Sequence, residues 1–171
     1  MKKVKSFLAL VGIFALSVML VSPMVVASDT DIVSATVTIE TAAISVDDGT
    51  VEYGIMALNS TSSTYDLSQT QTVTNEGNVS IDINIRGTST TSWTLAGTNG
   101  SEQYVHKFCN ATITDCSDTG NYTALTTSYA TLDTGVATST GISLDLEITT
   151  PTATADFTQQ SADVTVQAVA S

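Results

Sequence analysis

Val79-Ser80-Ile81-Asp82-Ile83-Asn84-Ile85-Arg86 alternates apolar and polar side chains without a break. A strand turns successive side chains to opposite faces. This period of two therefore collects Val79, Ile81, Ile83 and Ile85 on one surface and Ser80, Asp82, Asn84 and Arg86 on the other. Gly87 ends the run. Asn75-Glu76-Gly77-Asn78 precedes it and reads as a turn, because Asn and Gly tolerate positive φ.

The same period recurs in both directions along the chain. Val33, Ala35, Val37 and Ile39 alternate with Ser34, Thr36, Thr38 and Glu40. Ile142, Leu144, Leu146 and Ile148 alternate with Ser143, Asp145, Glu147 and Thr149, and Pro151 closes that segment. Shorter strands are expected at Ile44–Val46, Val51–Ile55, Gln71–Thr74, Trp93–Leu95, Tyr104–Phe108, Tyr122–Leu125 and Val164–Ala168. Asp47-Asp48-Gly49 reads as a hairpin-type turn, and Leu58–Gln69 as a polar connection. Strands with one apolar face must stack those faces in two layers. The expected fold is all-β: a single antiparallel β-sandwich over residues 28–171, either immunoglobulin-like or a jelly roll.

The first 27 residues read differently. Lys2, Lys3 and Lys5 form a basic start, Phe7–Leu20 an apolar run, and Val25-Val26-Ala27 a small-residue stretch of the kind a signal peptidase reads. Residues 1–27 are thus expected to be a signal helix removed before Ser28, leaving a secreted, extracellular or cell-surface protein. Its loss removes three of the five Lys and Arg residues and no acid, so the net charge moves from −12 to −15 with Arg86 and Lys107 as the remaining cations. Such a chain cannot displace counterions from a phosphate backbone, which argues against nucleic acid. No second apolar run of about 18 residues follows, so no membrane span is expected after cleavage. Without a cysteine just after the leader, a sorting motif or an apolar tail, surface attachment would be noncovalent or through a partner.

Cys109 and Cys116 are the two cysteines, with six residues between them and both in the part expected to be exported. In an oxidising compartment a disulfide is the simpler reading, with free thiols as the alternative. Two cysteines and one distant histidine lack the spacing of a metal site, so none is assigned. Asp115, Asp118 and Asn121 crowd one loop and Asp47 and Asp48 another. The first group forms a Ca²⁺ candidate, although neither follows the EF-hand pattern and turns gather Asp and Asn for local hydrogen bonds in any case. No other cofactor is implied. Glycosylation sequons begin at Asn59, Asn78, Asn99, Asn110 and Asn121.

His106, the single histidine, lies mid-strand. No G-x-S-x-G elbow accompanies it, so a structural role is the default. Asp145 and Glu147 share a strand face, as a glycosidase carboxylate pair would, but an exposed polar face is the expected reading. Trp93 and Tyr104 are either a carbohydrate-stacking platform or core aromatics, the second being the ordinary case.

Tyr53-Gly54 followed by Thr72-Val73-Thr74-Asn75-Glu76-Gly77-Asn78-Val79-Ser80-Ile81 resembles a run found in immunoglobulin-like domains of microbial cell-surface proteins, over roughly residues 50–87. The resemblance implies a sandwich with binding or scaffolding roles and carries no catalytic residues. The functional expectation is a non-enzymatic structural or adhesive protein whose partners are cell-envelope or extracellular proteins or glycans. A ligand-binding module for glycan or Ca²⁺ is one alternative. The other is a self-assembling filament or matrix subunit that lends its N-terminal strand segment, Asp29–Glu40, to a neighbour.

Overall fold

The structure is a computed structural model that describes residues 32–171. The signal helix expected over residues 1–27 and its expected cleavage site lie outside the described residues. The sheets belong to a compact unit running from Thr38 to Ser171.

Among the described residues ten strands form in chain order: β1 (Ile44–Val46), β2 (Thr61–Ser63), β3 (Gln71–Asn75), β4 (Ile81–Gly87), β5 (Thr94–Leu95), β6 (Gln103–Asn110), β7 (Thr123–Ala124), β8 (Ala130–Val136), β9 (Gly141–Thr149) and β10 (Val164–Ala170). A single helical turn, α1 (Thr64–Leu67), follows β2. The larger sheet runs β1-β3-β9-β6-β5, with β2 also paired to β9 and β7 to β6. The smaller runs β10-β4-β8. Every named strand pair is antiparallel except β5 with β6. The protein is an antiparallel β-sandwich.

The alternation of β4 does what its sequence implies. Ile81, Ile83 and Ile85 are fully buried and meet Val73, Phe108, Leu144 and Leu146 from the larger sheet, with Leu132 and Val136 from β8. Asn75–Asn78 turns the chain as expected, and it also carries the chain from the larger sheet to the smaller. Gly77 is required there, since a Cβ on it would lie 2.2 Å from the carbonyl oxygen of Thr41. The side chain of Asn78 clasps the incoming segment: Oδ1 accepts from Thr41 N at 2.8 Å and Nδ2 donates to Ile39 O at 2.8 Å.

Four expectations change. Residues 33–40 pair with no strand in the described structure, despite their alternation. Residues 51–55 form no strand: Val51 and Tyr53 pack on the core, while Gly54 adopts positive φ and Ile55 turns to solvent. Asp47-Asp48-Gly49 closes no hairpin, because β1 pairs with β3 and the Asp47 carboxylate accepts from Thr72 N. The polar connection over residues 58–69 contains β2 and α1. Ser63 caps α1, its hydroxyl accepting from Asp66 N at 3.1 Å.

Candidate functional site

The alternation of β6 sends Tyr104, His106 and Phe108 inward and Val105, Lys107 and Cys109 outward. Both sets are covered, so nearly the whole strand is buried. The inward set builds an aromatic row. Trp93 and Tyr104 have ring centroids 6.3 Å apart, Tyr104 and His106 6.2 Å, and His106 and Tyr53 5.9 Å. Tyr104 belongs to the core and donates its hydroxyl to Thr88 O. Trp93 is half-buried at the rim, its Nε1 donating to Thr154 Oγ1 at 3.0 Å.

Beside this row runs a groove of about 750 Å³, bounded by Tyr53, Met56, Trp93, Ile148 and Phe157. It adjoins a cleft of about 430 Å³ between the sheets, reaching His106, Leu144, Leu146, Val164 and Val166. Phe157 stands exposed at the mouth. Asp156 on the rim has its carboxyl lowered to about 2, first by the hydrogen bond from the Ser92 hydroxyl and then by those from Thr158.

His106 is 4% exposed. Its Nε2 shares a 3.0 Å hydrogen bond with Tyr53 Oη, and its buried Nδ1 has no partner. Burial lowers its pKa to about 4, so the imidazole is neutral at physiological pH. Burial also raises Tyr53, and it pushes Tyr104 up to about 12. A neutral imidazole bonded to a protonated phenol fixes the position of the 51–53 segment over β6. It is a packing contact with polar geometry.

The outward face of the larger sheet corrects the reading of Asp145 and Glu147. They are 1% and 2% exposed, where a solvated face was expected. Segments distant in the chain lie over them. Thr64 and Thr70 each donate a hydroxyl to Asp145 Oδ1 at 2.7 Å, and Thr64 Oγ1 also accepts from Leu146 N. Lys107, directly opposite Glu147 in the register, closes an ion pair at 2.7 Å. Cys109 and Cys116 are joined in a disulfide whose cluster takes in Tyr122 and Ala111. Arg86 lies over the ring of Tyr129, 4.8 Å from its centroid.

The loop acids are occupied locally. Asp115 Oδ1 accepts from Ser117 N, Asp118 Oδ1 from Gly120 N, and Asn121 Nδ2 donates to Asp115 O. Among the described residues no group of three or more His, Cys, Asp and Glu is placed to hold a metal ion. Of the sequons, Asn59, Asn78 and Asn121 are exposed and Asn99 is half-buried, donating to Asn59 Oδ1 and Thr150 O. Asn110 is enclosed between the sheets, its Nδ2 donating to Leu132 O at 3.2 Å and Asp133 Oδ2 at 3.0 Å. A residue that sequence reasoning passed over is Asn75, fully buried at the end of β3. The only hint was its place in the turn.

Fold and groove together define a disulfide-linked acidic β-sandwich with an aromatic-lined cleft at one rim. No family model matches the chain, and no curated protein or solved structure matches it.

Proposed function

We propose that this chain is an exported structural or adhesive β-sandwich, secreted or held at the cell surface, that works by contact rather than by catalysis. The observation that carries the reading is the way its reactive groups are spent inside the fold. His106 is sealed against Tyr53, Asp145 is held by two threonines, Glu147 is paired with Lys107, and the two cysteines are joined. The kinship with immunoglobulin-like surface domains drawn from the Asn75–Asn78 turn belongs to the same proposal. Its partners are envelope or extracellular proteins and glycans.

The groove beside Trp93 favours one alternative, a glycan-binding module, since half-buried aromatics at a rim suit stacking against sugar faces. Thermal shift separates the two, because a ligand of the native state raises the melting temperature. The structural reading expects no shift with a glycan panel or millimolar Ca²⁺, and unchanged inertness towards glycosidic and ester substrates on replacing His106. A saturable shift that is lost in Phe157→Ala would replace it with the binding module.

A further inference from the structure

We propose that residues 33–39 of one copy add as a strand to the outer edge of β10 in a second copy, so that the chain assembles head to tail. The proposal deepens the structural reading above and rests on it.

The donor is visible. Val33, Val37 and Ile39 are 93%, 90% and 80% exposed, on a segment with a strict period of two that sits in no strand. The acceptor is visible as well. Among the described residues β10 pairs only with β4, through seven consecutive residue pairs without a bulge. Edge strands are ordinarily blunted by Lys, Pro, a bulge or a covering element. Among the described residues Val164–Ala170 has no Lys, no Pro and no bulge in its pairing. Its inward residues Val164, Val166 and Ala168 are only half-buried, whereas those of β4 beside it are fully buried. Val164 and Val166 line the cleft of about 430 Å³ together with Leu144, Leu146 and Val51.

Donor and acceptor match in length, pattern and charge. Val33-Ser34-Ala35-Thr36-Val37-Thr38-Ile39 and Val164-Thr165-Val166-Gln167-Ala168-Val169-Ala170 are seven residues each. Both lack any charged residue, in a chain of net charge −12. Elsewhere two copies would repel each other, but these two segments can meet without opposing carboxylates. In that pairing, alternate donor residues Val33, Ala35, Val37 and Ile39 enter the cleft beside Val164, Val166 and Ala168, while the backbone groups of β10 gain partners. A second copy is the occupant because, among the described residues, each chain presents both a strand-patterned segment outside the sheets and a sheet edge without a second neighbour. That arrangement is heterologous, and it propagates instead of closing as a symmetric dimer.

The test is the size distribution of the purified protein by light scattering across concentration and salt. A ladder of oligomers growing with salt is expected. Val37→Asp should weaken association at least about a hundredfold, since a carboxylate replaces a valine in an apolar cleft. Val37→Asp protein should still cap wild-type chains, because its β10 edge is intact. A peptide of residues 32–40 in excess should block growth. Position is read by oxidising tagged Val37→Cys protein with untagged Val164→Cys, Val166→Cys or Ala168→Cys protein, where at least one mixed bridge is expected. A monomer at all concentrations, oligomers indifferent to Val37→Asp, or a Val37→Cys/Val166→Cys chain that bridges only onto itself would each overturn the proposal. None of these outcomes depends on the ligand and substrate assays that judge the structural reading, so the two fail separately.

Discussion

Replacing Asn75 tests whether the two sheets are tied at the turn between them. Asn75 is fully buried, and its amide serves three backbone groups: Nδ2 donates to Val79 O and Val136 O, both at 2.9 Å, and Oδ1 accepts from Gly77 N at 2.9 Å. Asn75→Ala removes all three bonds, leaving Val136 O with the longer 3.5 Å contact from the Ser80 hydroxyl. Val136 belongs to the core, so its carbonyl loses a partner where water does not reach, at about 1–3 kcal/mol. Gly77 and Val79 are half-buried and lose about 1 kcal/mol each. The sum is about 3–5 kcal/mol, a large part of the 5–15 kcal/mol typical of a domain, and about 10 °C in melting temperature. Asn75→Asp keeps the shape and the acceptor for Gly77. It turns a carboxylate oxygen towards two carbonyl oxygens, so it should cost more than alanine at pH 7 and recover part of the loss in acid. Urea unfolding followed by the single tryptophan, Trp93, measures both variants. An alanine variant within about 1 kcal/mol of wild type would refute the reasoning, as would an aspartate variant as stable as the alanine one at pH 7.

Further outcomes follow from the buried groups. His106 is lowered from 6.5 to about 4 by burial, so below about 6.5 the unfolded chain binds a proton that the folded chain refuses. Stability should therefore fall as pH drops from 6.5 towards 4, by about 3 kcal/mol in total, and urea curves of His106→Gln should lack that component. Lys107→Met should cost about 3–5 kcal/mol by stranding the Glu147 carboxylate, while the double change Lys107→Met/Glu147→Met recovers most of it. A double-mutant cycle showing no coupling would contradict the pairing. Opening the Cys109–Cys116 loop in Cys109→Ala/Cys116→Ala should cost about 2–4 kcal/mol in thermal unfolding, and thiol titration of the native protein should read zero before reduction.

Legibility in the sequence varied with how local the decisive interaction is. β4 and β9 were plain, since their inward faces are uninterrupted alternations of Ile, Val and Leu. β8 was missed. Exposed Thr134 interrupts the apolar set of Ala130, Leu132 and Val136, Gly135 adopts positive φ, and the register against β4 shifts twice. Asp145 and Glu147 were misread because alternation names a face but not what covers it. That cover comes from Thr64 and Thr70, about eighty residues earlier. The groove was not legible at all, because its walls come from residues 51–58, Trp93, Ile148 and residues 154–160.

Residues 33–39 draw the same line most sharply. Side-chain order along the chain determined where strands are able to form, which face of each is apolar, and that the cysteines lie within bridging reach. Those properties depend on neighbours a few residues apart. Which strand has a partner, which polar group is enclosed and which edge stays open were decided only by tertiary structure. Backbone hydrogen bonds and burial are settled between segments that the linear order leaves far apart.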